Sequence, residues 1–116
     1  MLRSLVLATF SCALALDAVA LSLGAEEFRG AQQLTCVMAE DALGYIDSES
    51  YDERMGEILD RYDEGAADAV YAKALGYIEG LMFGVDEGDR GGQRDRYLSL
   101  FNSKSCSAAL PAGLRI

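Results

Sequence analysis

The chain holds three cysteines, six tyrosines, nineteen acidic side chains and no histidine. That inventory bounds what chemistry it can do. Without histidine, a serine or cysteine nucleophile would need an unusual base. Adjacent carboxylates such as Glu40 with Asp41, or Asp52 with Glu53, point apart on a helix instead of converging on one substrate. No enzymatic reaction is expected. Residues 86–92 have the look of a calcium loop, yet Gly88 and Arg90 stand where oxygen ligands are required, so a solvated turn is expected and no metal or other cofactor is predicted. Cys36 and Cys106 are too far apart in sequence for a zinc spacing. In an exported chain they read as one disulfide. It would close a loop of about 70 residues, which the chain-entropy estimate values at about 4 kcal/mol.

Export is read from the first 25 residues. Arg3 supplies a basic start, an apolar run follows from Leu5 to Leu16, and small residues surround Ala18, Ala20 and Ala25. This is the layout of a secretory signal peptide, with cleavage expected after Ala20 or near Ala25. Cys12 leaves with it. Asp17 interrupts an apolar run already short for a span, so no stable membrane span is expected after cleavage. A single domain over residues 26–116 remains, in the periplasm or secreted. It carries the whole formal charge of −9, since Arg3 and Asp17 cancel. Nucleic acid would need the opposite field.

Four helical segments can be read along this domain, and no period-two alternation is long enough for a strand. After a polar arm at 26–30, residues 31–46 place Leu34, Met38, Ala42 and Tyr45 on one side. Cys36, Ala39, Leu43 and Ile46 fall on the other. Ser48 or Ser50 is the expected N-cap of the next helix. That helix carries an apolar stripe of Tyr51, Met55, Ile58, Leu59 and Tyr62, opposite an acidic ridge of Glu53, Glu57, Asp60 and Glu64. Glu57 and Arg61 have the spacing of a helical ion pair. Residues 65–84 are the most apolar segment. Ala67, Val70, Tyr71, Ala74, Leu75, Ile78, Leu81, Met82 and Val85 line one face, Ala69, Ala72, Gly76 and Gly80 line the other beside Lys73, and the rest of the domain is expected to be organised around this helix. A helix with so little polar surface is expected to be buried between neighbours. Gly76 and Gly80 cost about 1 kcal/mol each relative to Ala. Close packing of a second backbone against Ala72, Gly76 and Gly80, within the fold or in a homodimer, is the expected compensation. A last helix at 93–103 presents Tyr97, Leu98, Leu100 and Phe101 to the core. The prediction is an all-α fold, a small four-helix domain stapled by one disulfide.

Two local patterns add a resemblance. Leu34-Thr35-Cys36 in the first helix, Ala-Leu-Gly-Tyr-Ile-Glu-Gly at 74–80 and the closing Cys106 resemble the HdeA/HdeB-like family of small periplasmic proteins. The resemblance implies an acid-stress chaperone that holds unfolding clients at low pH. In that mechanism the carboxylates of Glu53, Glu57, Asp60 and Glu64 become neutral, helix packing loosens, and apolar positions around Tyr51, Met55, Ile58, Leu81 and Met82 hold the client. The Gly-Tyr-Ile-Glu-Gly core followed by a cysteine is also similar to the Rap1a/Tai immunity proteins, which neutralise a secreted effector. An acidic ridge would suit a basic effector. Either way the expected partner is a protein.

Overall fold

A computed structural model describes residues 24–109. The segment read as a leader, Cys12 within it, and the tail containing Pro111 and Gly113 lie outside the described residues. The described part is helical without strands: α1 (Ala25–Ala42), α2 (Ser48–Leu59), α3 (Glu64–Leu81), α4 (Arg90–Phe101) and a short α5 (Lys104–Ala109). The fold is all-α, with four long helices and one disulfide.

The axis of the molecule is α1, against which each of the other four helices packs. Its sequence is rich in strong helix formers (Ala, Leu, Glu, Gln, Met), and Glu26 and Glu27 sit in the first turn, where negative charge suits the helix dipole. Residues 26–30 are therefore its first turns and not a polar arm. Tyr62 explains why they are held: its hydroxyl donates to the Glu26 carbonyl oxygen at 2.7 Å. Gly30 is buried beneath the Tyr62 ring, and a Cβ there would collide with the ring and its hydroxyl. At the other end, Gly44 has φ +75°. The Gly44 N–H donates to the Asp41 carbonyl oxygen at 3.0 Å and the Tyr45 N–H to that of Glu40 at 2.9 Å, closing the helix in a Schellman turn. The helix thus ends four residues before Ile46, and the 3.6-residue period stops with it. Beyond the turn the two sides exchange. Tyr45 stacks edge-on against Phe101, with ring centroids 5.3 Å apart, while Ile46 joins Met38 on the opposite flank.

Three aspartates start the next three helices. The side chain of Asp47 accepts from the Ser50 N–H at 2.7 Å, Asp63 from that of Ala66 at 2.8 Å, and Asp89 from that of Gly92 at 2.9 Å. The N-cap of α2 is accordingly Asp47, with Ser48 and Ser50 already inside the helix. Capping by Asp89 also begins α4 at Arg90, drawing Gly91 and Gly92 out of the expected turn and into the helix.

The flanks of α1 carry separate cores. Ala31, Leu34 and Val37 meet Met55 and Ile58 of α2 and Val70 and Ala74 of α3, with Tyr51, Leu59 and Tyr62 closing the edge. Cys36 and Ala39 meet Leu100 of α4 and Cys106 of α5, bordered by Ile78, Leu81, Tyr97 and Phe101. The Cys36–Cys106 bond joins α1 to α5, with an S–S distance of 2.06 Å and both residues fully buried. A six-residue helix has too few hydrogen bonds to persist alone; the disulfide and its contacts with α1 and α4 hold it.

The largest departure from expectation is α3. It does not organise the fold and is not enclosed. Only Val70 and Ala74 are buried; Ile78, Leu81 and Met82 are half-buried, and Tyr71, Leu75, Gly76, Tyr77 and Gly80 face solvent. A Cβ added at Gly76 or Gly80 would meet nothing within 4 Å. Ala72, Gly76 and Gly80 therefore pack no second backbone among the described residues. One apolar flank suffices to dock α3 on α1, and α2 touches it only lightly. The close approach anticipated at Gly76 and Gly80 is made instead at Gly30.

Candidate protein-binding surface

Several large apolar side chains of α3 and its neighbours are exposed. Val70 and Ala74 point into the core at a four-residue step, and Tyr71 and Leu75, each one residue on, are rotated about 100° away from it. Tyr71 and Leu75 are each 41% exposed, Tyr77 54%, and Phe83, just past the helix end, 83%. Phe28 of α1 is 52% exposed. Phe28 and Tyr77 lie at a cavity of about 90 Å³ between α1 and α3, floored by Ala31 and Leu100 and edged by Thr35 and Lys73. The Thr35 hydroxyl is turned away from service there, donating to the Gln32 carbonyl oxygen at 2.7 Å. The cavity can thus take one compact apolar group, with the Lys73 ammonium as the only charge on its wall.

The acidic ridge is solvated. Glu53, Glu57, Asp60 and Glu64 are all exposed, and none forms an ion pair among the described residues. Glu53 and Glu57 share a face of α2, Asp60 is its C-cap, and Glu64 opens α3. The expected partner of Glu57 is engaged elsewhere: Arg61 reaches across to α1 and donates to Gln33 Oε1 at 2.8 Å.

The five apolar positions assigned to a client do not form one surface. Met55 and Ile58 are core residues, Tyr51 packs half-buried beside them, Leu81 borders the other core, and Met82 is half-buried beyond the end of α3. Burial pushes the Tyr51 phenol above the usual tyrosine range, and the nearby Tyr71, Asp41 and Asp52 add to the shift.

One pair had not been singled out. Glu40 Oε2 of α1 lies 2.6 Å from Arg54 Nη1 of α2, with side-chain exposures of 8% and 18%. The two atoms face each other as charges, and neither makes a hydrogen bond. The signal was present in the stripe itself: Arg54 falls at a three-residue step between Tyr51 and the apolar positions 55 and 58, so its guanidinium must enter the α1–α2 seam. Asp41, beside Glu40, is exposed and takes no part in the pair. Among the described residues, no group of three or more acidic or cysteine side chains is gathered to hold a metal ion. No described helix is long and apolar enough to cross a membrane. Compared with family models, curated proteins and solved structures, the chain matches none.

Proposed function

We propose that the protein is an exported, non-enzymatic domain that works by binding other polypeptides. The observation that carries this reading is the exposure of Phe28 and Tyr77 around one compact cavity, with Tyr71, Leu75 and Phe83 also exposed, in a chain whose formal charge is −9. Large apolar side chains around a compact cavity are the usual anchor of a protein interface. The cavity beside Phe28 and Tyr77 is of a size to admit a single leucine- or phenylalanine-like side chain. The buried disulfide supports an oxidising compartment, periplasmic or extracellular.

In its HdeA-like form the domain is an acid-activated holdase. The exposed surface makes first contact, and Tyr51, Met55, Ile58, Leu81 and Met82 are the reserve released when packing loosens. The Glu40–Arg54 pair supplies a concrete latch between α1 and α2. A guanidinium left without its counter-charge in that seam favours separation of the helices. The test is suppression of aggregation of an acid-unfolded client at about pH 2–3. Absence of protection there removes the holdase reading. The exposed, unpaired ridge of Glu53, Glu57, Asp60 and Glu64 favours a second reading, a Rap1a/Tai-like domain that neutralises a basic effector. That reading requires a tight one-to-one complex at neutral pH, lost on charge reversal of the ridge.

A further inference from the structure

The cavity beside Phe28 and Tyr77 lies close to the last helix. Its wall includes Leu100 of α4 and Ser105 of α5, and α5 ends at Ala109. Ser105 and Ala109 are one helical turn apart, about 6 Å. The sequence continues Leu110-Pro111-Ala112-Gly113-Leu114-Arg115-Ile116. Arg115 is the one charged side chain in that stretch, beside the large aliphatic Leu110, Leu114 and Ile116. Pro111 opposes continuation of a helix, and Gly113 admits turns closed to other residues. The chain from Ala109 to Leu114 can span about 17 Å when extended, more than the turn back to Ser105 requires.

We propose that residues 110–116 fold back over this cavity and place Leu114 between Phe28 and Tyr77, so that the tail competes with a bound polypeptide. The cavity takes one compact apolar group, and a leucine side chain is such a group. Phe28 and Tyr77, 52% and 54% exposed in the described residues, would be shielded from water by it. The Lys73 ammonium is the only charge on the wall and repels Arg115. In an extended segment successive side chains point to opposite sides, so Leu114 turned inward sets Arg115 outward. Tethering gives the tail an effective concentration of about millimolar, so a weak contact suffices to cover the rings until a tighter partner displaces it. The competition rests on the protein-binding reading; the contact between tail and cavity does not.

The experiment compares the oxidised full chain with Leu114→Ser, Leu110→Ser and a chain ending at Ala109, at neutral pH. Nuclear Overhauser contacts from the Leu114 methyls to the Phe28 and Tyr77 rings are expected in the full chain. They should arise within one molecule when labelled and unlabelled chains are mixed. Binding of anilinonaphthalene sulfonate should rise about tenfold in Leu114→Ser and in the shortened chain, the effect of uncovering one leucine-sized site. It should stay at the parent level in Leu110→Ser. Phe83→Ser in the shortened chain keeps the gain, because Phe83 does not line the cavity. Absence of the Leu114 contacts, or dye binding unchanged by its loss, overturns the docking. Contacts between molecules, or from residues 1–23, assign the cavity to another occupant and overturn it too. A gain in Leu110→Ser alone overturns the choice of Leu114. Circular dichroism checks the helices, and if the shortened chain unfolds, Leu114→Ser decides. Equal protection of an acid-unfolded client at about pH 2–3 by parent and Leu114→Ser overturns the competition. Protection by neither removes the holdase reading and the competition with it, and leaves the tail contact standing.

Discussion

Replacing Glu40 by Gln removes one charge from the α1–α2 seam while keeping the shape. Arg54 then holds its positive charge opposite a neutral amide, with only 18% of its side chain exposed. Breaking a buried ion pair from one side costs about 3–5 kcal/mol. Partial access of water to the guanidinium recovers some of this, so about 2–3 kcal/mol is expected here. For a domain of this size each kcal/mol moves the melting temperature by about 4–8 °C, a fall of about 10–20 °C in total. Thermal unfolding of the oxidised protein at pH 7 reads it directly. The double variant Glu40→Leu with Arg54→Met removes both charges and fills the seam with apolar atoms, so it should recover to within about 1–2 kcal/mol of the parent. A fall of less than about 3 °C in the single variant would refute the claim that the seam excludes water. A double variant as unstable as the single one would refute the charge argument and leave shape as the cause. The same variant probes the proposed latch, since Glu40→Gln should protect clients from aggregation at a higher pH than the parent does.

Glycine substitutions should separate by packing. Gly30→Ala forces Tyr62 aside and breaks its hydrogen bond to the Glu26 carbonyl, and should cost about 1–3 kcal/mol in urea unfolding. Gly76→Ala and Gly80→Ala meet open space and should stabilise by about 0.5–1 kcal/mol through helix propensity. Reduction, or Cys36→Ser with Cys106→Ser, releases a loop spanning a sequence separation of 70 and should cost about 4 kcal/mol, with amide exchange rising first in α5. The Ser50 backbone N–H, and then its hydroxyl, hold the Asp47 carboxyl below the usual aspartate range. A depressed folded pKa means the stabilisation is present above the unfolded value and is lost as pH falls through the folded one. In NMR titrations Asp47 should therefore titrate below an unstructured aspartate, and loss of that offset in Ser50→Pro, which removes the N–H, checks the cause.

Much of the architecture was legible because it depends on short-range rules. The apolar steps at Tyr51, Met55 and Ile58 mark the face that α2 turns to the core, while of the face read along 65–84 Val70 and Ala74 are buried and Tyr71 and Leu75 are exposed. Cys36 and Cys106 were expected to pair from their number and spacing alone, and they are bonded. The helix ends were read less well, since serine and aspartate compete as caps and only the backbone shows that Asp47 wins over Ser48 and Ser50. Of the candidate sites, the acidic ridge was recognisable as a solvated face from its spacing. The Phe28–Tyr77 cavity was not, because its walls come from four helices whose mutual arrangement no local pattern encodes.

The sequence by itself determined that the chain is helical, that its helices are amphipathic along particular stripes, and that one cystine is available to close it. Each follows from periodicity or residue chemistry within a few turns. Which helix lies at the centre was decided only in three dimensions. Hydropathy favours α3, yet the core forms around α1, because α1 puts fully enclosed residues into both cores, Leu34 and Val37 on one flank and Cys36 and Ala39 on the other, whereas α3 buries only Val70 and Ala74. A helix with two usable sides can be covered from both, while a helix with one, however apolar its remaining surface, is left with that surface in water.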